Sequence, residues 1–223
     1  MRPRPFSFTS FSTFVTCPRQ YHAKYILKTV KDDPDTPHLV WGRQVHTAFE
    51  NRQRDQVPLP AGLGVHEQFM QQLDKRPGEL EVEMKVALNT SLEPCDFFDP
   101  KTFYRGIVDW LKVDRAAGRA YVVDYKTGKR RPKWDQLALN ALWVFAAHPG
   151  VRLVSAEFYW TQDCAADRKV WGAAGQADLW AKMKPDLRQY AQAHIEDVWQ
   201  PRQSGLCRAH CPVLDCEFNG KGR

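Results

Sequence analysis

The stretch GIVDWLKVDRAAGRAYVVDYKTGKRR, residues 106–131, carries Asp109, Asp124 and, two residues further on, Lys126. Two carboxylates and an ammonium are groups that hold a hard divalent cation and act on a phosphate beside it. Whether they meet depends on the backbone. Residues 106–114 and 119–126 are rich in Val, Ile, Tyr and Trp, and Arg115-Ala116-Ala117-Gly118 between them is short, polar and closed by glycine, which predicts a β-hairpin. With Asp114 opposite Arg119, counting back places Asp109 directly opposite Asp124, with Cβ atoms about 5 Å apart, a repulsive pairing unless something neutralises it. Side chains alternate along a strand, so Lys126 shares a face with Asp124. An Asp-x-Lys pair on a strand is ordinarily a solvated face. Here Val122, Val123 and Tyr125 make the second strand apolar on both sides, which predicts a central strand whose buried charges need partners.

The elements that must position these groups are legible from periodicity and breakers. A helix is expected over 10–27, capped by Ser10 or Ser12, with Phe11, Phe14, Tyr21 and Tyr25 at helical spacing and Pro18 kinking or breaking it. Lys31–His38 is charged and proline-rich, hence a loop, and helices follow at 39–54 and 64–75. A strand at 79–88 carries Glu81 and Glu83 on one face, and an acidic, aromatic segment, 92–103, leads into the hairpin. Helix 133–147 stops at His148-Pro149-Gly150; strands are expected at 151–161 and about 168–172. The last helix, 183–199, would turn Leu187, Tyr190, Ala191, Ile195 and Val198 to the core. Strands flanked by helices imply an α/β fold, a three-layer core with a mixed central sheet. Nothing marks a long linker, so a single domain, 1–223, is expected.

Composition narrows the class. No run of 18 apolar residues occurs and the N-terminus lacks the apolar stretch of a secretory signal, so a cytoplasmic protein with no membrane partner is expected. A formal charge of +6 and a pI near 9.0 are compatible with nucleic acid as partner. Beside the hairpin, Lys129, Arg130, Arg131 and Lys133 are candidate sequence-independent phosphate contacts, and Trp134 is a core residue or a base-stacking one. Of six cysteines, Cys207, Cys211 and Cys216 cluster near the C-terminus beside His210, a pattern that suggests metal rather than disulfides.

Gly106-Ile107-Val108-Asp109, followed by Val123-Asp124-Tyr125-Lys126-Thr127-Gly128-Lys129, resembles the core of the PD-(D/E)XK nuclease superfamily. The resemblance is to its RecB-like branch in particular, which includes CRISPR-associated RecB-like exonucleases and related phage exonucleases. Four further stretches are similar to that branch in the same order: SFSTFVTCPRQYHAKYI (10–26), WGRQVHTAFE (41–50), WDQLALNALWVF (134–145) and CRAHCPVLDC (207–216). The superfamily's eponymous proline is absent, since Val108 precedes Asp109, and Asn140 stands where a tyrosine is usual four residues after Gln136.

The resemblance implies a restriction-endonuclease-like core and a set of roles. Asp109, Asp124, His46 and the Tyr125 carbonyl would bind Mg²⁺ or Mn²⁺, Lys126 would orient or deprotonate the attacking water, and Gln136 would hold the site or the DNA end. Glu83, ahead of Glu81, matches the upstream glutamate. Cys17, Cys207, Cys211 and Cys216 would hold a [4Fe–4S] cluster, joining Cys17 to the 205–219 segment in a cysteine lobe. The Cys-x3-Cys-x4-Cys spacing departs from the family's Cys-x2-Cys, and His210 stands at Cys-x2-His, so zinc or no metal stays open. The activity implied is a metal-dependent DNA exonuclease working on single-stranded or duplex ends in recombination, repair or CRISPR adaptation. A structure-selective endonuclease of the same fold, or a DNA-end-binding or assembly component with a vestigial site, is the alternative. No Gly-x-x-x-x-Gly-Lys-Ser/Thr phosphate loop is present, so unwinding would fall to a partner such as a helicase, beside any recombinase or CRISPR partner.

Overall fold

The computed structural model describes residues 3–31 and 36–221; the centre of the expected loop Lys31–His38 lies outside the described residues. The chain forms two compact units, one of residues 34–179 and the other of residues 1–33 with 180–223.

The unit built from the chain ends begins with α1 (Phe8–Thr16), capped by Ser7 rather than Ser10 or Ser12. Ser10 instead occupies the third helical position and returns a hydrogen bond to the Ser7 N–H, completing a capping box. The single helix expected over 10–27 is split, because Pro18 tolerates only the first turn of a helix. Cys17 is extended, α2 (Pro18–Tyr21) restarts the helix, and a π-turn, His22–Ile26, finishes it.

The unit of residues 34–179 holds a five-stranded sheet. Its elements are α3 (Pro37–Asp55), a 3₁₀ turn (Ala61–His66) leading into α4 (Glu67–Asp74), β1 (Glu79–Asn89), β2 (Thr102–Asp114), β3 (Arg119–Lys126), α5 (Trp134–Ala147), β4 (Leu153–Trp160) and β5 (Ala165–Gly172). Strand order follows the chain, and only β3 and β4 are parallel, with α5 as their crossover. On one face Val45, Phe49, Met70 and Leu73 of α3 and α4 pack on Val82, Trp110, Val123 and Tyr125. Buried Arg52 ties α3 to Glu67 and Asp74 at 2.6 and 2.9 Å, which fixes the helix that bears His46. On the other face lies α5, buried without interruption from Leu137 to Phe145. These are the three expected layers. The hairpin register is also the expected one, Asp114 opposite Arg119 through to Trp110 opposite Val123, and Gly118 closes the loop at φ +63°.

The last helix, α6 (Gln176–Glu196), starts earlier than expected and buries Met183, Tyr190, Ala193 and His194. Ile195 and Val198, expected in the core, are 59% and 45% exposed. Two causes are local. The Tyr190 hydroxyl meets that of Tyr21 at 2.7 Å, and the Tyr21 hydroxyl meets His194 Nε2 at 3.1 Å, so this polar pair selects the inward face. The chain then turns at Asp197, φ +54°, before Val198.

Candidate active site

Three carboxylates stand level across three adjacent strands. Pairing of β1 with β2 runs through Val82↔Trp110 and Met84↔Val108 and skips the step between, where Glu83 faces Asp109. Pairing of β2 with β3 ends at Trp110↔Val123, one step short of Asp109 and Asp124. Where the strands part, the Asp109 carboxylate accepts the Tyr125 N–H at 2.7 Å. His46 reaches the fork from α3: its Nδ1 is 3.5 Å from Glu83 Oε1 and 3.6 Å from Asp109 Oδ2, and its Nε2 is 3.1 Å from the Tyr125 carbonyl. Among the described residues, His46, Glu83 and Asp109 are the group that brings three ligand atoms within 4.8 Å of one another.

Glu83 has φ +49°, a left-handed conformation that is costly for a residue with a side chain and clusters at functional sites. It marks a change of face. Val82 and Trp110 belong to the core under α3, whereas Tyr104, an even number of residues before Trp110, donates its hydroxyl to Asn140 on α5 at 3.2 Å. Glu81 takes no part: it is exposed, and its charge acts on His148 beyond the far end of α5.

Asp124 and Lys126 point to α5, and Gln136 closes a triangle with them. Lys126 Nζ is 2.5 Å from Asp124 Oδ1 and donates to Gln136 Oε1 at 3.1 Å, while Gln136 Nε2 donates to Asp124 Oδ2. Beneath it Asn140 accepts the Tyr104 hydroxyl from β2. Lys126 Nζ also stands 5.3 Å from the centre of the Phe158 ring.

Electrostatics follow from this crowding. Burial, and then the charge of Asp124, raise the Asp109 carboxyl to about 7, against the opposing pull of His46 and the Tyr125 N–H. Burial alone would lower His46. The Glu83 hydrogen bond and the charges of Asp109, Glu83 and Asp124 outweigh it and raise the imidazole to about 9. The cluster thus makes its own counter-charge, an imidazolium lodged among carboxylates. A hard or borderline divalent cation takes this same donor set, carboxylate oxygens, a carbonyl oxygen and an imidazole nitrogen, so the residues fit such an ion.

The sequence matches the family model of the PD-(D/E)XK nuclease superfamily over residues 5–82 and 65–216. The chain belongs to this superfamily. Among solved structures it is similar to a "Putative exonuclease" from Eubacterium rectale, with a TM-score of 0.54 at 12% identity over 92% of this chain and 86% of that one. It is also similar to SSO0001, with a TM-score of 0.49 at 13% identity over 96% and 85% of the respective chains. At 12% identity the likeness to the Eubacterium rectale structure is one of fold. No curated protein matches the sequence. PD-(D/E)XK nucleases use divalent metals, and His46, Glu83 and Asp109 form a group able to hold one.

The other expected residues of this PD-(D/E)XK protein are distributed as follows. Lys129, Arg130, Arg131 and Lys133 are all exposed, but Arg130 forms a two-point pair with Asp167 of β5. Trp134 packs against Phe158, ring centres 5.7 Å apart. An open cleft beside the His46 group is walled by Gly42, Thr47, Glu50 and Thr127. Sequence pattern assigns no role to Glu50 or Thr127; the available signal is that Glu50 stands one helical turn past His46. In the unit formed by the chain ends, Cys17, Cys207, Cys211 and Cys216 line one cavity. The N–H groups of Arg202 and Ser204 point at Cys17 Sγ and Cys207 Sγ, each at 3.4 Å. Burial, with the other three cysteines adding to it, raises the Cys211 thiol. His210 is exposed, and Cys95 and Cys164 stand apart from the group.

Proposed function

We propose that the chain is a divalent-metal-dependent deoxyribonuclease that hydrolyses phosphodiester bonds at DNA ends. The observation that carries this reading is the level row Glu83–Asp109–Asp124 with His46 on one side and Lys126 on the other. Glu83, Asp109, the His46 ring and the Tyr125 carbonyl would hold the cation, with Asp124 on the neighbouring strand as a further ligand. When bound, the cation supplies Lewis acidity at the scissile phosphate and lowers the pKa of water beside it. Lys126, held by Gln136 and Asp124, would orient the attacking water and offset charge that develops on the phosphate. Gln136 positions Lys126 and Asp124 through both ends of its amide. Lys129, Arg131 and Lys133 hold the strand by its phosphates, consistent with a net charge of +6.

The test is cleavage of end-labelled single- and double-stranded DNA with Mg²⁺ or Mn²⁺, an EDTA control and Lys126→Ala. Metal-dependent cleavage is expected, with loss of at least about a hundredfold in Lys126→Ala, the usual scale for a proton-handling group. Release of mononucleotide distinguishes an exonuclease from an endonuclease ladder. DNA bound yet uncut with every cation would instead make the chain an end-binding component.

We also infer that Cys17, Cys207, Cys211 and Cys216 hold a [4Fe–4S] cluster. They share one cavity, and backbone N–H groups are aimed at two of the sulfurs, contacts of the kind that tune a bound cluster.

A further inference from the structure

We propose that the β1–β2 loop presents Phe98 as a stacking platform for an unpaired base, at the far end of a strand-binding track that starts at the Glu83–Asp109 pair. The proposal deepens the nuclease reading and rests on it. A single exposed apolar side chain needs no explanation, and Phe98 is 76% exposed. What distinguishes it is the construction of its loop. Asn89 Oδ1 accepts the N–H groups of Ser91 and Glu93 at 2.8 and 3.0 Å, and Cys95 N–H returns to the Ala87 carbonyl at 3.2 Å. A turn over 96–99 is closed by Asp99 N–H on the Asp96 carbonyl at 3.0 Å, and Thr102 Oγ1 donates to that carbonyl at 3.3 Å. Phe98 sits in this turn, set edge-on to Phe97 at 5.1 Å and 82°. Phe97 in turn lies under two cations, Lys85 Nζ at 5.8 Å and the Arg105 guanidinium at 5.4 Å from its ring centre.

The track leads from the metal-binding group. Tyr104 and Gly106 face α5, since the Tyr104 hydroxyl bonds Asn140 and would touch a Cβ at Gly106 at 2.8 Å. Arg105 and Ile107 therefore face the other side, that of α3 and His46. Ile107, paired with Lys85 and 48% exposed, stands about 7 Å along the strand from Asp109, and Arg105 about 13 Å. Cations that can take phosphates, followed by an exposed ring that can take a base, are the elements of single-strand recognition. A duplex offers a free base face only on its terminal pair. Glu93, Asp96 and Asp99 share the loop, so attraction of phosphates does not hold a strand at its tip. The ring does, and this sets the discriminating signature.

The test uses the full chain and a single-stranded thymidine oligonucleotide in EDTA, where cleavage does not intervene. Phe98→Ala should weaken binding about tenfold, the scale of one stacked base, with the slope of log K against log salt unchanged. Lys85→Gln with Arg105→Gln should instead lower that slope by about 1.4, at about 0.7 per phosphate contact. Photo-cross-linking from 5-iododeoxyuridine should map to the peptide containing Phe98. In Mg²⁺, Phe98→Ala should raise KM for the oligonucleotide at unchanged kcat, and leave turnover of a p-nitrophenyl thymidine phosphate, too short to reach the loop, as in the wild type. Thermal unfolding of Phe98→Ala should match the wild type, as expected for an exposed side chain. Wild-type affinity in Phe98→Ala, or cross-links confined to 129–133, would overturn the platform while cleavage still upheld the nuclease. Loss of binding in Phe98→Ala by a wild type that cuts nothing would uphold the platform and overturn the nuclease.

Discussion

Cation binding at the His46 group must expel the protons that the free protein keeps there. With Asp109 titrating at about 7 and His46 at about 9, the cluster holds roughly two protons near pH 6 and roughly one near pH 8. A coordinated imidazole and carboxylate hold none. Wherever the free protein binds more protons than the complex, affinity rises with pH, by one power of ten per pH unit for each proton released. Integrated from about pH 6 to about pH 8, Asp109 contributes a factor of about 10 and His46 about 100. The apparent affinity for Mn²⁺ should therefore rise about a thousandfold, or about 4 kcal/mol, and level off above about pH 9. Titration calorimetry at the two pH values, in buffers of unlike ionisation enthalpy, reads both the affinity and the protons released. His46→Ala should remove the His46 part of the rise and move the Asp109 step to higher pH, because the imidazolium no longer holds that carboxyl down. Affinities within tenfold of each other across that range, or no proton release near pH 6, would refute the arrangement.

Three further outcomes are expected. Asp109→Asn should end cleavage yet stabilise the cation-free protein: a carboxyl whose folded value is raised favours the fold only while protonated, and that advantage is lost as pH rises towards about 7. Urea unfolding should show a gain of roughly 2–4 kcal/mol near pH 8 and none below about pH 4; destabilisation at pH 8 would contradict the burial argument. In the basic loop, Lys129→Ala, Arg131→Ala and Lys133→Ala together should lower the salt slope of single-strand binding by about 2, whereas Arg130→Ala, whose charge is already paired with Asp167, should leave it near the wild-type value. Cys211→Ser should purify without the brown colour and with its iron reduced; unchanged iron would exclude Cys211 as a ligand.

The hairpin was the most legible part of the sequence because its signals agree. A polar four-residue loop ending in glycine fixes the register, and the apolar run on both sides of Asp124 could belong only to a central strand. Strand β3 has the expected bounds, Arg119–Lys126. Helix α5, expected over 133–147 and found over Trp134–Ala147, is similarly plain, stopped by His148-Pro149-Gly150. Elements decided by tertiary partners were harder to read. The inward face of α6 is chosen by a Tyr–Tyr–His contact that periodicity cannot see, and so periodicity alone turns Ile195 and Val198 to the core. Arg130 reads as one cation among four until Asp167 arrives beside it from β5.

Glu83 shows why the site itself resists a reading by period. Alternation puts Glu81 and Glu83 on one face of β1 and makes them equivalent, so the choice between them came from resemblance alone. The structure separates them with a single left-handed residue, φ +49° at Glu83, placed in the gap of the β1–β2 ladder opposite Asp109. No glycine announces that turn, and the residue that adopts it carries one of the three carboxylates. A backbone conformation this costly persists only where its surroundings impose it. Regular alternation would leave Glu83 on the face it shares with Glu81; the turn is what brings its Oε1 to 3.5 Å from His46 Nδ1, level with Asp109 and Asp124. The local rule therefore fails at the one position where β1 brings its carboxylate to His46 and Asp109, the group able to hold a cation.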